Sequence, residues 1–332
     1  MKRGILPLVP VELFGPASED SINLWKTFFL GKPDDRQGWH SALSPEEKSL
    51  PCWPACLLGI ARQTGIEEIW YPEPALLHQE RRPLEILKGE GVRMTPFKYP
   101  PMKNLDYLRG SIAKALDQLG MKQEELDSRV DAWASLRASV KRLDGIQTRS
   151  LALSSRQYIE ALHSIPDPSR SLPALIKDTE LKVALNYKGL GQDFHIRIGV
   201  IGTPPFDDHF YDVLDEAGAL VVYEEAGLEA FPLGHFSELA LLYNQISLPY
   251  GIKARRDRLE KEKAERSIDA FLYCTHSLSE SRNNALFLEG ELQTPVYVFE
   301  IKNGEEASKL ECRLLRRFFD EYSEKHQKGR KK

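Results

Sequence analysis

Short β-branched runs alternating with helix-length segments constrain this chain more than any other feature, because that alternation is the pattern of an α/β fold with a mainly parallel sheet. It occurs twice. In the first region Gly4–Val9, Ile66–Tyr71 and the weaker Gly91–Met94 read as strands, and Ser21–Phe29 and Ala55–Thr64 as helices. In the second, Arg197–Gly202, Ala219–Tyr223, Asp269–Tyr273 and Val296–Ile301 read as strands, interleaved with helical patterns such as Phe210–Ala217 and Ser237–Gln245. Between the regions, Leu105–Leu119 and Gln123–Leu143 read as two helices broken at Gly120. Leu126, Val130, Trp133, Leu136 and Val140 keep helical spacing on one face, which marks them as core. The proline- and serine-rich stretch 166–173 and the run Gly189-Leu190-Gly191 mark loops. At 332 residues the chain is about twice the usual domain size. The expected organisation is therefore an N-terminal α/β domain over 1–104, a helical bridging segment over 105–192, a C-terminal α/β domain over 193–324 and a basic tail over 325–332.

Composition narrows the function classes. The chain carries 45 basic and 49 acidic residues, a net charge of −4, so as a whole it offers no field that would gather nucleic acid. Five positive charges crowd the end at Lys325, Lys328, Arg330, Lys331 and Lys332, the composition of a solvated terminus. No uncharged apolar run approaches the roughly 18 residues that span a bilayer, so no membrane segment is expected. Prolines interrupt the short apolar start, which argues against a signal peptide, and the expected location is cytoplasmic. Four cysteines are too few for a disulfide framework in a chain this long, and a reducing cytoplasm leaves them as metal ligands or packing residues.

Chemistry is expected where strands end. Arg197-Ile-Gly-Val-Ile-Gly-Thr-Pro-Pro205 is a buried strand running into a tight turn, at the carboxyl edge where open α/β sheets place ligands, so Gly202 and Thr203 are candidate cleft residues. The glycine pattern of a dinucleotide site is missing and Pro204 and Pro205 remove two N–H groups, so no NAD is expected. Cys52 and Cys56 lie four apart at the start of a helix pattern, where N–H groups and the helix dipole stabilise a thiolate; the alternative is one exposed and one packed cysteine. Cys274 ends a predicted strand in Asp269-Ala-Phe-Leu-Tyr-Cys-Thr-His-Ser277, and His276, Ser277 and Ser279 follow it as anion-binding candidates. Glu224 and Glu225 follow another strand end. Cys312, in a helical pattern, reads as a packing residue.

These residues resemble a family. Arg197-Ile-Gly-Val-Ile-Gly-Thr-Pro204 with Tyr211-x-x-Leu-x-x-Ala-Gly-Ala-x-Val-Val222 is similar to the opening of the C-terminal half of the 2-hydroxyacyl-CoA dehydratase and benzoyl-CoA reductase subunits. Leu242-Tyr243 before Leu248-Pro249, Arg258, the Asp269–Tyr273 strand, Thr294-Pro295-Val296 and a closing arginine-rich helix follow in the family's order. Cys52-Trp-Pro-Ala55 with Gly59 resembles its cysteine-led helix start. The resemblance implies two Rossmann-like (flavodoxin-like) domains, a [4Fe-4S] cluster held by three cysteines, an acyl-CoA substrate, a homologous partner subunit or homodimer, and an ATP-dependent activator. On that reading Cys52 is a ligand, with Cys56 and Cys274 as substitutes. The pattern departs in two places: Pro72-Glu-Pro-Ala75 and Ser277-Leu-Ser279 stand where the family's second and third cysteines fall. A non-catalytic pseudo-subunit or scaffold of the same family, without the cluster, is the alternative.

Overall fold

The structure, a computed structural model, describes residues 1–50, 52–73, 78–151, 153–185, 196–205, 208–275, 278–300 and 313–321. It is an α/β protein with two four-stranded sheets, both wholly parallel. The first contains β1 (Arg3–Ile5), β2 (Ser21–Asn23), β3 (Glu68–Glu73) and β4 (Arg93–Lys98) in the order β2-β1-β3-β4. The second contains β5 (Ile196–Gly202), β6 (Ala219–Glu224), β7 (Ala270–Thr275) and β8 (Val296–Glu300) in the order β6-β5-β7-β8. Both sheets therefore repeat one topology, the first strand of each set lying between the second and third. Each belongs to its own compact unit: residues 1–141, 162–181 and 227–255 form the first, and residues 142–161, 182–226 and 256–332 the second. The stretch 105–192, expected as one bridging segment, is divided between the two. Among the described residues no helix is long and apolar enough to cross a membrane.

In the first unit β1 is shorter than its apolar run, because Pro7 has no N–H to donate and Leu8 turns into the left-handed region at φ 69°. The segment expected as one helix from Ser21 opens as β2 and becomes helical at Leu24, where the Asn23 side chain caps by accepting from the Lys26 N–H at 2.9 Å. Glu68 ties the amino ends of three strands: it is 1% exposed, pairs with Arg3 of β1 at 3.1 Å and Arg93 of β4 at 2.7 Å, and accepts from Thr95 at 2.6 Å. The core behind the sheet gathers Ile5, Leu8, Phe14, Trp70, Phe97, Leu108, Ile112, Val130 and Leu242. The expected stripe of the helix Gln123–Ser150 is buried from Leu126 through Val140. A charge lies inside that stripe. Arg137, one turn after Trp133, is 3% exposed and ion-paired with the wholly buried Glu12, which also accepts from the Tyr243 hydroxyl at 3.1 Å. The Arg137 guanidinium lies 5.0 Å from the centre of the Phe231 ring. Burial presses this guanidinium down only to about 10, so it remains a cation at neutral pH.

In the second unit the same helix continues past its expected end at Leu143, and its last turns hold the edge strand. Gln147 donates to the Val221 carbonyl of β6 at 2.8 Å, and the Ser155 hydroxyl accepts the Val221 N–H at 3.1 Å. Backbone groups that an edge strand would leave open to another chain are thus taken internally. At the irregularity in the β5–β6 pairing, the Val222 carbonyl is met by Arg266 at 2.8 Å. Arg266 also grips Asp144 with two nitrogens at 2.7 and 2.8 Å and pairs with Glu262, while the Tyr158 hydroxyl donates to Asp144. All four residues are under 10% exposed. Removing one member of such a set strands buried charge, so Asp144→Asn should lower the urea unfolding free energy by about 3 kcal/mol. A double-mutant cycle with Arg266→Met should return a coupling of about 2 kcal/mol.

Candidate functional site

In a sheet of order β6-β5-β7-β8 the chain leaves β5 toward one neighbour and returns to the other side at β7. The crevice at the carboxyl ends of β5 and β7 is the topological switch point, where open α/β sheets bind ligands. Gly202 ends β5 directly beside Cys274 of β7. Its φ is +85°, and a Cβ built there would stand 2.3 Å from the Cys274 carbonyl oxygen, so both the turn and the approach require glycine. The Thr203 N–H donates to that carbonyl at 3.0 Å. The Gly202 N–H donates to the Glu225 carboxylate at 2.9 Å, and Glu224, at the end of β6, accepts from the Ala226 N–H at 2.9 Å. Both carboxylates are wholly buried. With Pro204 and Pro205 next in the chain, every N–H of residues 202–205 is either committed or absent, and the position an anion would take is filled by the protein's own Glu225 carboxylate.

Cys274 is wholly buried within β7. Burial, reinforced by the nearby Glu224 carboxylate, pushes its thiol well above the usual cysteine range, and the sulfur lies 3.9 Å from the Leu272 carbonyl. This is a protonated packing thiol. The environment is the opposite of the electropositive setting in which cysteines ligate or react.

The remaining candidates divide by position. Cys52 opens the helix Cys52–Thr64 and Cys56 lies one turn on, buried at 2% exposure. Between them Trp53 packs on Trp25 and Phe28, with ring centres at 4.9 and 5.0 Å. Those two cysteines lie in the first unit and Cys274 in the second. The Cys52 side chain, His276, Ser277, the Ser279 side chain and Cys312 lie outside the described residues. Among the described residues no three of His, Cys, Asp and Glu are placed to hold a metal ion. Neither a protein-family model nor a curated protein matches the chain.

Sequence reasoning passed over the buried Glu12, Arg137 and Tyr243 set and the use made of Glu225. For Arg137 the signal was present, an arginine seven residues after Val130 within an apolar stripe. Glu225 is marked in the sequence only by its place at a strand end, and its bond to Gly202 carries no signal there, because only the fold brings the two together. Two outcomes are expected. Gly202→Ala should cost at least about 2 kcal/mol in thermal or urea unfolding, since strain and a backbone clash act together. Mass spectrometry after iodoacetamide treatment at pH 8 should find Cys274 unmodified in the native chain and modified in urea.

Proposed function

We propose that the chain is a non-catalytic, cluster-free subunit of a 2-hydroxyacyl-CoA dehydratase-type redox assembly, keeping the frame that a homologous partner docks on while the partner handles the acyl-CoA. The observation that carries this reading is Cys274. A cluster ligand is a thiolate facing an inorganic core, whereas Cys274 is enclosed in its strand beside a carboxylate that opposes its ionisation. Pro72 and Ser279, near the positions where the resemblance asks for cysteine, add to the argument. The committed N–H groups of residues 202–205 at the switch point of the second sheet fit a chain whose sheet edge is used for structure.

One observation favours a second reading, that of an iron–sulfur redox subunit supplied with electrons by an ATP-dependent activator. The helix begins at Cys52, with Cys56 one turn on, a position at which exposed N–H groups favour a thiolate. Iron and sulfide analysis of protein purified without exposure to oxygen decides between the two. The first reading expects no stoichiometric iron or sulfide and no charge-transfer absorbance in the visible. About four irons per chain, lost on Cys52→Ser, would establish the second.

A further inference from the structure

We draw no further inference here: the strongest candidate, the surface patch of the first unit where the exposed side chains of Met102, Tyr107 and Phe236 flank the Arg109–Glu238 ion pair, carries nothing because nothing in the structure shows what covers it.

Discussion

Parallel pairing is the constraint on which the rest of this protein depends. Two parallel neighbours cannot be joined by a tight hairpin, so each strand must be reached by a crossover, and helices accumulate on the faces of the sheet. That requirement accounts for the nearly unbroken burial of β5, β6 and β7. It also sends all strand ends of one kind to one edge, which makes the order β6-β5-β7-β8 place Gly202 beside Cys274. Once the strands lie that close, the glycine, the bond from Thr203 and the inward carboxylate of Glu225 follow from the need to satisfy backbone groups shut away from water.

The same need explains how Arg137 and Arg266 are held in the interior. Arg137 sits within the stripe of a long helix and is kept there by Glu12 and the face of Phe231. Arg266 is kept by Asp144, Glu262 and the Val222 carbonyl left over where the ladder is irregular. Buried pairs of this kind add little to net stability compared with apolar packing of the same shape. Their effect is on arrangement, since any displacement of the helix against its partners leaves a charge without company.

The fold class was legible because parallel strands buried on both faces write themselves as continuous β-branched runs, and each of the four expected in the second region lies within a residue or two of a strand. What was not legible depends on tertiary contacts. Ser21–Asn23 carries no strand signature and is a strand because β1 offers it an edge. The helix from Gln123 outlasts its apolar stripe because Asp144, Gln147 and Thr148 find polar partners on β6 and Arg266. At the site, the glycine turn could be read from Gly202 and its prolines. The state of Cys274 could not, because a thiol's ionisation is set by its surroundings in space rather than by its neighbours in the chain.

The two units are each assembled from three separated stretches of chain, in alternation. The core of the first includes Leu239, Leu242, Tyr243 and Tyr250, which are made only after β5 and β6 of the second. Neither unit can therefore close on the ribosome as a finished N-terminal body. The nascent chain holds the first sheet, whose four strands are made by Lys98, with part of its apolar surface uncovered until about three quarters of the chain has been synthesised. Folding is in consequence a late event for the whole chain, and neither half is a module that recombination can cut out and move.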